Sequence, residues 1–180
     1  MSREREIMET ETLAFDAAVR RLMADGLWNF REFRGAIRDG AGPVIVNFDG
    51  TFAVEGALDA YVHLLDYSVP AARLVFYRGD DAAAARVVYE AYTEKLASFA
   101  ARLPGTISRQ VDDDPRFSTQ IWTSISFETD GPRIGAYHLE CPDVGKNGDQ
   151  FSVWVEIDAL AVETIEGSPD DSPWRIVLGE

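Results

Sequence analysis

Cysteine, lysine and histidine are scarce in this sequence of 180 residues, which contains one Cys, two Lys and two His. A single cysteine, Cys141, excludes a disulfide within the chain and is interpreted as a small core residue. Together with His63 and His138 it supplies too few soft ligands for a structural zinc site. We therefore predict no metal and no cofactor.

Long hydrophobic runs are also missing. No stretch approaches the roughly 18 apolar residues that a membrane-spanning helix requires. Residues 1–11 are rich in charge, unlike the apolar core of a signal peptide. The sequence therefore predicts a cytoplasmic protein without a membrane span.

Positive charge is in deficit, because 31 acidic residues face 17 basic ones and the net charge is −14. Direct binding of nucleic acid requires a basic patch, so we do not expect it. An acidic surface suits a basic protein partner instead. A mimic of DNA is one version of this hypothesis, and it requires the acidic side chains to stand in rows.

The content of hydrophobic residues, 46%, is sufficient for a packed core in a chain of this length. We predict a single α+β domain over residues 1–180, with a helical and βαβ part over 7–103 and antiparallel strands over 106–178. The helices are predicted to pack on one face of the sheet.

Helical and strand patterns alternate in the first half of the chain. Apolar residues at helical spacing predict helices over 7–25, 27–38, 51–66 and 82–103, the last one capped by Asp80 or Asp81. Short apolar runs predict strands over 43–48 and 73–77. The segment 43–78 is therefore predicted to form a parallel βαβ unit.

Strict alternation dominates the second half. Residues 117–128, 133–141 and 151–165 each place apolar side chains on one side and polar ones on the other, as expected for half-buried strands. Short turns between them predict an antiparallel meander, with an edge strand over 174–178.

The second face of this meander is the candidate site. Strand parity predicts that two tryptophans share it with carboxylates, hydroxyls and a histidine; the residues are Gln120, Trp122, Ser124, His138, Glu140, Trp154, Glu156 and Asp158. Such a face could bind a ligand or a partner, because tryptophan offers a large contact area with one N–H donor. The alternative interpretation is that helices cover the face and the tryptophans belong to the core.

The sequence Val-Ile-Val-Asn-Phe-Asp-Gly-Thr over residues 44–51 resembles the first motif of haloacid-dehalogenase-like phosphatases, an apolar strand followed by Asp-x-Asp-Gly-Thr. The resemblance implies a carboxylate nucleophile at position 47 and a general acid at Asp49. Asn47 departs from the motif, since an amide does not attack phosphorus as a carboxylate does. The alternative is an ordinary turn from strand to helix, capped by Asp49 or Thr51.

Two acidic segments, Asp80-Asp81 and Asp112-Asp113-Asp114, are predicted to be loops or turns. The triplet offers oxygen ligands but lacks the spacing of an EF-hand. Both segments are interpreted as solvated turns that a basic partner could contact.

No catalytic motif is present, and two functional hypotheses follow. The first is a small acidic binding protein of the inhibitor, immunity or regulator type, which contacts a basic partner. The second is a small-molecule-binding domain or enzyme whose site uses Trp122, His138, Glu140, Trp154 and Glu156.

Overall fold

The structure is a computed structural model that describes residues 10–38, 45–65, 68–103, 108–117, 120–129, 131–141, 150–160, 164–166 and 175–177. Over 108–117, 164–166 and 175–177, and at positions 120 and 122, only the backbone is described. Within these ranges, no helix is long and apolar enough to cross a bilayer.

The described elements are two helices and a set of strands, as expected for an α+β protein. The helices are α1 (Phe15–Gly26) and α2 (Ala82–Ala100). The strands are β1 (Thr12–Leu13), β2 (Arg34–Ile37), β3 (Ile45–Gly50), β4 (Ala53–Val54), β5 (Asp59–Leu65), β6 (Ala71–Gly79), β7 (Ser108–Phe117), β8 (Gln120–Glu128), β9 (Ile134–Glu140), β10 (Phe151–Asp158), β11 (Thr164–Glu166) and β12 (Arg175–Val177).

Eight of these strands form one antiparallel sheet in the order β2-β3-β5-β6-β10-β9-β8-β7. Strand β10 joins its two halves, because it pairs with β6 on one side and with β9 on the other. The predicted run β8-β9-β10 is thereby confirmed as antiparallel. Short pairs β1-β4 and β11-β12 stand outside this sheet.

One face of the sheet, the core face, contributes to the main hydrophobic cluster. Its buried residues share that cluster with α1 and α2 residues such as Leu22 and Phe99; the strand members include Val46, Val62, Leu64, Ala72, Leu74, Ile134, Ala136, Val155 and Ile157. Phe76 of β6 lies 5.9 Å from the Phe15 ring of α1 and 3.6 Å from the Tyr92 ring of α2, measured between centroids. Each such fully buried side chain contributes about 1.5–3 kcal/mol.

The alternate residues of the same strands form the opposite face, which we call the polar face. By strand register it carries Asn47, Asp49, Asp59, Tyr61, His63, Arg73, Arg78, Tyr137, Trp154, Glu156 and Asp158, and the neighbouring Arg38 and Arg133 also contribute to it.

The predicted βαβ unit is wrong. Residues 59–65 form β5, which pairs antiparallel with both β3 and β6. A helix is ruled out locally because the chain reverses at Gly56, whose φ of +79° is a left-handed conformation. The segment Asp-Ala-Tyr-Val-His-Leu-Leu also alternates, so Val62 and Leu64 reach the core while Tyr61 and His63 do not.

The predicted helix over 27–38 is also wrong, and α1 begins at Phe15 rather than at residue 7. Residues 1–9 lie outside the described ranges. Asn29 and Phe30 both have a φ of 57°, which a right-handed helix does not allow. The buried Asp25 carboxylate holds the turn by accepting the backbone N–H of Phe33 at 2.8 Å and that of Glu32 at 3.2 Å.

The helix predicted over 82–103 is confirmed as α2, and Asp81 caps it by accepting the N–H groups of Ala83 and Ala84. The turn predicted at Asp112–Asp114 is wrong, because all three residues belong to β7. An edge strand tolerates this sequence: its charges discourage pairing with other chains, and Pro115 lies at a break in the register.

We predict that Asp25→Ala lowers the free energy of unfolding by about 1–3 kcal/mol, because it leaves the buried N–H of Phe33 without an acceptor. Urea denaturation followed by tryptophan fluorescence measures this loss. Asp16→Ala is the matched control on α1, since Asp16 is half exposed and pairs with the exposed Arg102. Equal losses in both variants would contradict the role assigned to Asp25.

Candidate functional site

The predicted site residues lie on two faces of the sheet. Trp154, Glu156 and Asp158 belong to the polar face. Trp122 also belongs there by register, because it pairs with Leu139, and Leu139 pairs with Ser152, two residues before Trp154. His138 and Glu140 belong to the core face, since they pair with Val153 and Phe151. The predicted cluster of His138 and Glu140 with Glu156 and Asp158 is therefore not formed.

The parity of β9 caused this error. The alternation of residues 133–141 predicts that the bulky apolar residues of β9, Tyr137 and Leu139, point into the core, yet they lie on the polar face. The fully buried side chains of β9 are those of Ile134 and Ala136, which lie in the main hydrophobic cluster, so Tyr137 and Leu139 face the other way. Gly135 leaves room for the Tyr137 ring, because a Cβ atom there would lie 3.0 Å from its Cε2. The Tyr137 ring leans over the glycine backbone, a position that a side chain at 135 would block.

The centre of the polar face is an ion pair between neighbouring strands. Glu156 Oε2 accepts a 2.5 Å hydrogen bond from Nε of Arg73 and a 3.1 Å bond from Nε1 of Trp154. The Arg73 side chain is 22% exposed and that of Glu156 is 12% exposed. The Arg73 guanidinium also stands 5.4 Å from the centre of the Trp154 ring.

Tyr137 closes this cluster from the β9 side. Its ring stacks on that of Trp154, with centroids 5.4 Å apart and planes inclined by 7°. Burial, together with the charge of Glu156, raises the pKa of Tyr137 well above its ordinary value of 10.0. The tyrosine is therefore a neutral hydroxyl at every physiological pH.

A second ion pair lies beside the first. Arg133 donates to Oδ2 of Asp158 at 2.7 Å, and burial with the nearby charge of Glu156 raises the pKa of Asp158 to about 6. A carboxyl group with such a pKa holds a proton at mildly acidic pH and releases it near neutrality, which is the property a general acid needs. Glu156 stands two residues away on the same face.

Arg38 organises the far side of the polar face. It donates to Asp49 at 2.6 Å and forms a two-pronged bond with Asp59, at 2.9 and 2.7 Å. Arg78 adds a longer contact of 3.4 Å to Asp59, and these partners hold the pKa of that carboxyl below its ordinary value of 3.8. The hydrogen bond from Arg38 is the largest cause of this shift.

Asn47 and Asp49, which belong to the segment that resembles the phosphatase motif, contact other residues of the polar face. Asn47 Oδ1 lies 2.9 Å from Nδ1 of His63, while Asp49 is bound to Arg38. The element that follows β3 is the strand β4, and the neighbours of β3 in the sheet are antiparallel to it. The alternative interpretation, a turn from strand to helix capped by Asp49 or Thr51, is therefore wrong, as is the predicted parallel βαβ unit.

The core face carries a cleft of about 360 Å³ beside the first half of α2. It is lined by Ala82, Arg86, Tyr89, Glu90, Thr123, His138, Glu140 and Phe151. The imidazole of His138 lies nearly parallel to the Phe151 ring, with centroids 6.0 Å apart. Burial lowers the pKa of His138 below 6.5, and the charge of Glu140 opposes this shift in part.

The acidic segments have separate roles. Asp80 is exposed, and Asp81 is engaged as the cap of α2. Asp112 pairs with Ser124, and Asp114 with Trp122, in the backbone ladder of β7 and β8. Within the described ranges, no three His, Cys, Asp or Glu side chains are grouped to hold a metal ion.

Sequence reasoning missed the arginines, which are the residues that organise the polar face. Arg73 and its partner Glu156 are 83 positions apart, so no local pattern connects them. The helix predicted over 51–66 puts His63 off its apolar side and so predicts an exposed residue. The alternation of residues 59–65 was the signal that could have placed Tyr61 and His63 on this face.

Comparison of the chain with protein-family models, with curated proteins and with solved structures found no match. The function is therefore inferred from the geometry and charge of the chain itself.

We predict that Arg73→Met costs about 3 kcal/mol of stability, because it leaves the Glu156 carboxylate partly buried without its cation. The double variant Arg73→Met, Glu156→Gln should recover at least half of this loss. Arg86→Met is the matched control, since its bond to Glu90 is exposed to solvent and should contribute little to stability. Urea unfolding measures all three, and equal losses at Arg73 and Arg86 would contradict the assignment.

We predict that His63 makes stability fall at acidic pH. Burial, helped by the charge of Arg73, lowers the pKa of His63 from 6.5 to about 4, so the unfolded chain takes up the proton first. Stability from this residue is complete above pH 6.5 and is lost as the pH falls toward 4. The loss should reach about 2 kcal/mol, less than full linkage because the ring stays partly exposed.

The test is urea unfolding of the wild type and of His63→Gln at pH 7.5, 5.5 and 4.5. Glutamine keeps a polar group beside Asn47 but does not titrate, so the variant should lose less stability on acidification. Parallel pH profiles for the two proteins would rule out a contribution from His63.

Proposed function

We propose that this protein is a small acidic binding protein of the inhibitor, immunity or regulator type, which acts in the cytoplasm by contacting a basic protein partner. The observation that carries the proposal is the position of the charge. Four arginines of the polar face, Arg38, Arg73, Arg78 and Arg133, are bonded to four carboxylates of the same face, so these eight charges cancel. The net charge of −14 is therefore carried by residues outside these ion pairs.

Exposed carboxylates outside the polar face support this proposal. Asp80, Glu55 and Glu94 are exposed at the start of α2, in the turn before β5 and along α2. Charges of one sign on a surface accelerate association with a partner of opposite sign and favour that partner over others. Acids in these places would attract a basic partner over a distance without having to lie in the contact itself.

An exposed apolar patch supplies the other part of an interface. Trp28 is 66% exposed, Leu27 is 48% exposed and Leu160 is 56% exposed. The N–H of Leu160 bonds to the carbonyl of Gly26 at 3.2 Å, so the backbone of Leu160 lies beside the turn that carries Leu27 and Trp28. The Asp25 turn presents Trp28 on a fixed backbone, and a rigid exposed tryptophan is typical of residues that dominate protein–protein affinity.

The experiment is affinity capture from an extract of the source cells, purification of the captured protein and measurement of its affinity at 50 and 300 mM NaCl. We expect a partner with a basic surface whose affinity falls at least tenfold between these salt concentrations, mainly through slower association. Equal affinity at both concentrations, or a partner with an acidic surface, would contradict the proposal.

Trp28→Ser should weaken the same complex at least tenfold at both salt concentrations, because the loss is apolar contact rather than charge. Val87→Ser is the matched control, since Val87 is also 66% exposed but lies on α2. The patch has no role in binding if both variants retain the affinity of the wild type.

A further inference from the structure

The cleft beside α2 differs from the polar face in what its polar groups contact. The arginines of the polar face are bonded to its carboxylates, whereas in the described lining of the cleft only Glu90 forms an ion pair, with Arg86 at 2.8 Å. Glu140 lines the same cleft, and no hydrogen bond or ion pair is recorded for its carboxylate within the described part of the chain. The cleft thus has more negative than positive charge.

The walls of the cleft are aromatic. Phe151 lies opposite Glu140 in the register of β9 and β10, and His138 stacks beside it. Tyr89 of α2 completes the wall, with its ring centre 5.8 Å from that of His138. The negative faces of such rings attract a cation that approaches them.

His138 adds an unmet hydrogen bond. Its Nε2 atom is buried and has no hydrogen-bond partner among the described residues. A buried nitrogen of this kind costs free energy until a partner arrives, so a ligand that donates a hydrogen bond there gains affinity. His138 and Glu140 are two positions apart on one strand and therefore about 7 Å apart on the same face.

We propose that this cleft is a binding site for a small planar organic cation, an amidine or amine carried on an aromatic ring. Its cationic N–H groups would bond to the Glu140 carboxylate, and its ring would pack against Phe151, Tyr89 and His138. The cleft volume falls in the lower part of the range for small-molecule sites, roughly 300–1,000 Å³. This site is separate from the surfaces of the proposed protein partner and does not depend on them.

The test is a titration of the full chain with benzamidine, followed by two-dimensional NMR of the backbone amides. We expect saturable shifts of Thr123, His138, Glu140 and Phe151, with a dissociation constant in the millimolar range or below. Benzoate has the same ring and the opposite charge, and it should bind at least tenfold more weakly.

Two variants, Glu140→Gln and His138→Phe, test which groups of the cleft bind benzamidine. Glu140→Gln should weaken benzamidine at least tenfold, whereas Glu128→Gln, outside the cleft on β8, should leave the affinity unchanged. His138→Phe keeps an aromatic wall but removes Nε2, and it should weaken binding several-fold. The same spectra report whether each variant is folded.

The proposal is overturned if benzamidine produces no saturable shifts at 20 mM. It is also overturned if benzoate binds equally well, or if Glu140→Gln binds benzamidine as tightly as Glu128→Gln does. Salt-dependent capture of a basic protein tests the proposed function on its own, so either idea can fail without the other.

Discussion

The pair of Arg73 and Glu156 is the constraint on which the rest of the sheet depends. It lies at the junction of β6 and β10, where the strands of the first half of the chain meet those of the second. The pair is largely shielded from water, so the loss of either charge would leave the other without compensation. Glu156 also accepts the hydrogen bond of the Trp154 N–H. A shift of one residue in the β6–β10 register would put the two charges on opposite faces of the sheet, which makes the register specific.

The charged groups on the two faces of the sheet have different partners. The polar face directs arginines at carboxylates within the chain, and burial of the second pair leaves Asp158 able to exchange a proton near neutral pH. The core face instead carries the helix-side cluster and a cleft with one carboxylate, Glu140, that is not part of such a network. Asp49, Asp59, Glu156 and Asp158 are thus held by arginines on one face, whereas Glu140 lines a cleft on the other.

The sequence predicted the fold class, α2 with its Asp81 cap, and the antiparallel order of β8, β9 and β10, because these depend on local periodicity and turns. It did not predict β5, whose neighbours β3 and β6 provide its hydrogen bonds. Strand parity correctly predicted that Trp154, Glu156 and Asp158 share a face, but His138 and Glu140 lie on the other face. The buried side chains of β9 are those of Ile134 and Ala136, and the bulk of Tyr137 and Leu139 hides this from the pattern of the sequence.

Acrylamide quenching of tryptophan fluorescence tests most directly whether the ion pairs around Trp154 are shielded from water. Two single-tryptophan variants are compared, one that retains Trp154 and one that retains Trp28, with phenylalanine at the other tryptophan positions. Trp154 is 5% exposed and held by Glu156, Arg73 and Tyr137, whereas Trp28 is 66% exposed. Weak quenching of Trp154 beside strong quenching of Trp28 is the predicted result. Equally strong quenching of both would mean that Trp154 faces water, and the polar face would then be an open binding surface and not an internally paired one.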